Sequence, residues 1–168
     1  MQNRMGLVEI ESGASTFVRS ELFARTFSEG MNLVEETANY LDGEGRKASK
    51  TLPRSSALAY ASASMRLTTQ LMQIASWLLV LRAVREGDMS LGEAGDDKYR
   101  LKPREDAIGD LLAEGLPPEL IGLTESASQL YTRIERLDGE LFLAKSTETS
   151  PHDAAAQQRQ LAEAFGER

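Results

Sequence analysis

Few residues in this chain are placed to do covalent chemistry. The single histidine, His152, follows Pro151 in a polar C-terminal stretch. A phosphotransfer bundle needs its histidine exposed on a helix face. A metal site in a helix bundle needs Glu-x-x-His pairs, which this chain lacks. With no cysteine there is no thiolate nucleophile, disulfide framework or cysteine-based zinc site. The pairs Glu35-Glu36 and Asp96-Asp97 could in principle supply acid–base carboxylates. Adjacent helix residues diverge by about 100 degrees, so these read as solvated charge rather than a dyad. Gly43 and Gly45 sit where a helix ends and read as caps, not as a phosphate-cradling loop. Trp77, Met65 and Met72 are of the types that anchor interactions, but aromatics and methionines at helical spacing more often belong to a core or a dimer interface. No catalytic residue, metal ligand or cofactor is expected, and the chain reads as a protein that binds other proteins.

The composition agrees. The 168 residues suit one domain, and a hydrophobic content of 41% supports a packed core. The formal charge is −7 with a pI near 4.9, which disfavours binding to phosphate backbones, so no nucleic-acid partner is expected. The opening residues, Met1 to Gly6, lead into mixed polar sequence with no apolar signal region, and the reading is cytoplasmic. Charge is unevenly spread. Residues 20–42 and 111–143 are acidic, whereas 46–86 hold seven basic groups against the single acid Glu86. A basic segment between two acidic ones suits complementary neighbouring helices.

The elements that must position these residues are helices. No segment alternates with a period of two, so the fold class is all-α: an antiparallel three-helix bundle with flexible N- and C-terminal tails. Residues 1–19 read as a disordered lead-in. Ser20 is an N-cap, and Phe23, Phe27, Met31, Val34, Ala38 and Leu41 recur at steps of three and four as one helix face. Asp42-Gly43-Glu44-Gly45 ends that helix, with a glycine in the left-handed conformation. A second helix starts near Pro53 and runs to Gly87 with two stripes. One holds Leu58, Ala61, Met65, Thr68, Met72, Ala75 and Leu79, the other Leu67, Leu71, Ile74, Leu78 and Leu81.

From Leu71 to Val84 this helix is apolar nearly all round. About 14 residues fall short of the roughly 20 a membrane span needs, and Arg82 lies among them, so no membrane insertion is expected. A helix apolar on every side must be covered on every side. A second subunit is the natural cover, giving a homodimer with Trp77, Leu78 and Leu81 at or near its interface. Residues 87–117 read as a mobile linker, with a capping box at Ser90 and Glu93 and a short helix around Ile108, Leu111 and Leu112. Leu120, Leu123, Ala127, Leu130, Ile134, Leu137 and Leu141 then mark a third helix over 118–143. Residues 144–168 are polar and read as a flexible tail.

Two stretches carry a resemblance. One runs from Ser20-Glu21-Leu22-Phe23 through Glu29-Gly30-Met31, Leu33-Val34-Glu35-Glu36-Thr37-Ala38 and Tyr40-Leu41-Asp42-Gly43 to Gly45-Arg46. The other joins Leu52-Pro53-Arg54, Ser64-Met65-Arg66-Leu67-Thr68-Thr69, Leu71-Met72-Gln73, Ala75-Ser76-Trp77-Leu78-Leu79, Arg82-Ala83-Val84 and Glu86-Gly87. Over about residues 20–90 the chain resembles the regulator-of-CtrA-degradation family of alphaproteobacteria, and more loosely from Leu116 to Leu137. The resemblance implies a three-helix bundle, usually dimeric, that acts as an adaptor for the ATP-dependent protease ClpXP. Such adaptors join a protease already primed by a response-regulator-like adaptor. They tether cargo such as cell-cycle transcription factors, directly or through a cyclic-di-GMP-binding partner, and tethering lets modest affinities suffice. Charge on a bundle exterior has no core role, so Glu35, Glu36, Arg46, Arg54 and Arg66, inside the matching stretches, are the expected partner-binding residues. The alternative is a structural bundle that organises a polar or division complex without touching proteolysis.

Overall fold

The computed structural model describes residues 13–103 and 115–142. Its elements are α1 (Glu21–Asp42), α2 (Glu44–Ser49), α3 (Arg54–Glu86), the single turn α4 (Leu91–Ala94) and α5 (Pro118–Phe142). The described residues contain no strand, as the sequence periodicity requires. The expected short helix around Ile108, Leu111 and Leu112, and the tail from Ala144, lie outside the described residues.

The helix ends follow local chemistry. Ser20 caps α1 through a 3.2 Å bond from the Phe23 N–H to its Oγ. The chain before it is helical over 13–19, where the sequence reading has a disordered lead-in. Ala14 and Val18 are buried, and Phe17 meets Phe23 edge-on at 5.9 Å. Isolated apolar residues there sufficed because two turns of helix need only one buried side. Gly43 does not take the left-handed conformation: its φ is −104°, and helix resumes at once in α2. The stop at Gly87 is of that kind, with φ +87° and Asp88 N–H bonding back to the Ala83 carbonyl at 2.9 Å.

Three long helices share one core, made of Leu67, Leu71, Ile74, Trp77, Leu78 and Leu81 of α3 against Leu120, Leu123, Ala127, Leu130, Tyr131 and Ile134 of α5. Contacts with α1 include Phe23 and Leu33. By length and composition α3 also passes for a membrane span, but here its buried stripe is covered by helices of the same chain. The helices pack tightly at Gly30 of α1. A Cβ there would overlap the Leu78 side chain and lie 3.6 Å from Ile74 and 3.7 Å from Leu130.

The helix directions correct the antiparallel reading. Gly30 lies beside Leu78, and Tyr40 shares its surroundings with Tyr60 and Glu119, so α1 runs against both other helices. By contrast, Gly115 abuts Ser56 while Asp138 bonds Trp77, so α5 runs parallel to α3. Parallel neighbours need a long return, and the connection after Glu86 supplies it. That connection is not a free linker along its described length. The capping box is present, with the Glu93 N–H on Ser90 Oγ at 3.2 Å and the Ser90 N–H on Glu93 Oε2 at 2.8 Å. These bonds hold the exposed Glu93 carboxyl below the usual carboxylate range. Ala94 is buried, and the chain then runs back along α5.

Candidate functional site

The return segment is fastened at one buried polar centre. Asp138 projects from α5 at the core position after Ile134, and its side chain is 8% exposed. Its Oδ1 accepts from Trp77 Nε1 at 2.8 Å. Arg100 of the return segment closes on the same carboxylate, with Nε at 2.9 and 3.0 Å and its terminal nitrogen at 2.7 Å. The guanidinium also lies 5.0 Å over the Phe142 ring. A second fastening follows, where the Tyr131 hydroxyl donates to the Lys102 carbonyl. Three elements are thereby joined through one carboxylate. Both carboxylate oxygens of Asp138 accept hydrogen bonds, so the buried charge is paired and bonded on both sides. Sequence reasoning missed it. The heptad seam steps from Ile134 to Leu137, so the sequence pattern places Asp138 beside the seam and gives no signal of its burial.

Trp77, Leu78 and Leu81, expected at a dimer interface, are core residues of a single chain. They are 2%, 0% and 0% exposed. The expectation assumed two covering helices and a free linker, but α1, α5 and the fastened return segment cover them without a second subunit. The uncovered side of α3 is the other stripe. Leu58, Met65, Met72 and Leu79 are 74%, 72%, 65% and 51% exposed and stand seven residues apart. Ala61 and Thr68 are exposed between them, and Ala75 is half-buried. Such an apolar line along one helix, about 32 Å from Leu58 to Leu79, suits a partner helix.

The expected partner-binding residues are all exposed: Glu35 and Glu36 on α1, Arg46 on α2, Arg54 and Arg66 on α3. They lie on three helices and are not gathered into one pocket. Arg46 pairs at 3.3 Å with Asp42, both well exposed, so this bond holds little energy. Arg54 stands in line with the exposed stripe of α3, one turn before Leu58, whereas Arg66 lies about 100 degrees round the helix from Met65. Among the described residues no group of histidine, cysteine, aspartate or glutamate could hold a metal ion.

The class defined by these features is an all-helical bundle with outward-facing charged and apolar surfaces. Residues 14–165 match the family described as protein of unknown function DUF1465, and the chain belongs to it. It is also similar to RcdA of Caulobacter crescentus CB15, whose crystal structure superposes with a TM-score of 0.66 at 51% sequence identity. The match covers 77% of this chain and 98% of that one, which places this chain in the RcdA family. No curated protein matches.

Proposed function

We propose that this protein is a non-catalytic adaptor in regulated proteolysis, delivering cargo such as cell-cycle transcription regulators to the ClpXP protease. The observation that carries the reading is the 51% identity to RcdA across 98% of that chain. The name of that relative denotes a regulator of CtrA degradation. Its proposed setting is the cytoplasm, in two copies, with a primed protease on one side and cargo or a cyclic-di-GMP-binding protein on the other. An adaptor acts by raising local concentration, so it needs surfaces and stiffness rather than a reaction centre. The surfaces proposed for partners are those around Glu35, Glu36, Arg46, Arg54 and Arg66.

The test is a reconstituted degradation assay with the protease, its priming adaptor and a candidate cargo. Adding the chain should accelerate cargo loss. Charge reversal at Glu35 and Glu36 together, or at Arg46, Arg54 and Arg66 singly, should slow it about three- to tenfold. That range corresponds to losing roughly 0.7–1.4 kcal/mol of contact energy. Helicity should stay unchanged. No acceleration by the wild-type chain with any cargo, and no recovery of the unfoldase in a pull-down, would refute the adaptor role.

A further inference from the structure

The buried centre at Asp138 is built like a binding site and filled by the chain's own connection. Its fixed parts all belong to the long helices. Trp77 of α3 and Tyr131 and Phe142 of α5 are three aromatic side chains, 2%, 1% and 5% exposed. The carboxylate of Asp138 is held from the α3 side by the Trp77 indole. What fills the seat is a short run of the return segment. The Arg100 guanidinium takes both oxygens of Asp138 and lies over the Phe142 ring, and two residues on the Lys102 carbonyl accepts from the Tyr131 hydroxyl. These are the contacts a bound peptide makes: guanidinium to carboxylate, cation to ring, main-chain carbonyl to hydroxyl.

The run is held by little else. Of residues 87–103 only Ala94 is buried, and Asp88, Glu93, Asp96, Asp97, Lys98 and Lys102 are exposed. Its turns are closed within it: the Ser90–Glu93 box, then the Tyr99 N–H on the Asp96 carbonyl at 2.9 Å and the Arg100 N–H on that of Asp97 at 3.3 Å. It can therefore lift without losing its local shape, pivoting at Gly87, where φ is +87° and the surroundings are open. When Arg100 leaves, Asp138 keeps its bond from Trp77 and gains water, so opening strands no charge in the interior. We infer that the seat between α3 and α5 is a binding site for an arginine-bearing peptide, shut in the free chain by Arg100 acting as an internal ligand. A partner segment that offers an arginine and, two residues on, a main-chain carbonyl takes the same contacts and displaces the return segment. A tethered ligand acts at roughly millimolar effective concentration, which keeps the site shut until a partner adds contacts elsewhere. Only the use of the site rests on the adaptor reading; the site itself is a property of the single chain.

The return segment supplies its own probe: a synthetic peptide of residues 96–103, capped at both ends, added to the full-length Arg100→Ala variant. Trp77 is the sole tryptophan and the peptide has none, so tryptophan fluorescence reads the seat alone. The variant should keep its helicity and respond saturably, with half the change at about 1 mM peptide. The same peptide carrying Arg100→Ala should need at least about tenfold more, the loss of one bond to a charged group. The wild-type chain, its seat filled, should respond more weakly than the variant, and Arg100→Ala combined with Asp138→Asn should not respond. No saturable change below about 10 mM, an equal response to the peptide without arginine, or loss of helicity on Arg100→Ala overturns the inference. A second measurement needs no variant. Lifting the return segment uncovers the Trp77 indole N–H while α3 stays folded. After correction for intrinsic rates, that proton should exchange with solvent at least about tenfold faster than the amides of Ile74 and Leu78. Equal rates would mean that the segment leaves only when the bundle unfolds, and the site would fall. Neither measurement involves the protease, so failure here leaves the adaptor role standing, and failure of the degradation assay leaves the site standing.

Discussion

Replacing Asp138 by alanine removes the one group on which Trp77, Arg100 and α5 converge. The carboxylate accepts from the indole N–H at 2.8 Å and from the guanidinium at 2.7 to 3.0 Å. Removing one member of a buried ion pair costs about 3–5 kcal/mol, because the other charge is left without compensation. Arg100 is 15% exposed and belongs to a connection rather than a helix, so its guanidinium can swing part of the way to water. The expected loss therefore lies at the lower end, about 3 kcal/mol, and includes the unpaired Trp77 N–H. For a chain of this size each kcal/mol lowers Tm by roughly 2–4 °C, which gives a fall of roughly 6–12 °C. Urea unfolding followed by the fluorescence of Trp77, the sole tryptophan, reports on the altered site itself. Asp138→Asn keeps an acceptor for the indole and should lose about half as much. Arg100→Ala and Asp138→Ala should be non-additive by about 1–3 kcal/mol in a double-mutant cycle. A loss below about 0.5 kcal/mol for Asp138→Ala, the range of ordinary surface changes, would refute the account of this centre.

Two further changes probe the packing of α1. Gly30→Ala should destabilise by about 1–2 kcal/mol: overpacking costs about 1–3 kcal/mol, and alanine's better helix propensity returns up to about 1. Leu78, whose side chain the new methyl would strike, is fully buried and has no room to retreat; a stabilised variant in urea unfolding would contradict this. Tyr40 has its pKa raised by burial first, then by Tyr60 and Glu119, and its hydroxyl has no partner among the described residues. A raised folded-state value means its contribution is present below about pH 10, the unfolded value, and is lost as pH climbs through the folded value. Tyr40→Phe should therefore lie within about 1 kcal/mol of wild type at pH 8 and lose less stability than wild type by pH 11, read from urea midpoints.

Helix existence was legible because caps and periodicity agree: Ser20, Pro53, the Ser90–Glu93 box and Gly87 each act where the sequence puts them. The buried face of α1 was legible only to within one residue. Large apolar residues suggested Phe27, Met31, Val34 and Leu41, which are half-buried, whereas the most deeply buried line is Thr26, Gly30, Leu33 and Thr37. Where two helices come closest only small residues fit, so hydrophobicity points beside the contact rather than at it. The end of α5 shows a related drift. A strict heptad leads to Leu137 and Leu141, but a straight helix turns slightly less than that repeat assumes, and the buried positions move to Asp138 and Phe142. The antiparallel setting of α1 was legible, but the direction of α5 against α3 was not. A connection of unreadable conformation permits either sense, and only Gly115 beside Ser56 and Asp138 beside Trp77 decide it.

The surface shows a different limit. Both stripes of α3 have steps of three and four, and periodicity gives them equal standing, yet Leu67 through Leu81 is core and Leu58 through Leu79 is exterior. What separates them is what stands between the large residues. On the buried stripe large residues follow one another, because α1 and α5 bring irregular surfaces that must be filled. On the exposed stripe alanine and threonine alternate with leucine and methionine, and no helix among the described residues covers them, so the period there marks a helix face without marking burial.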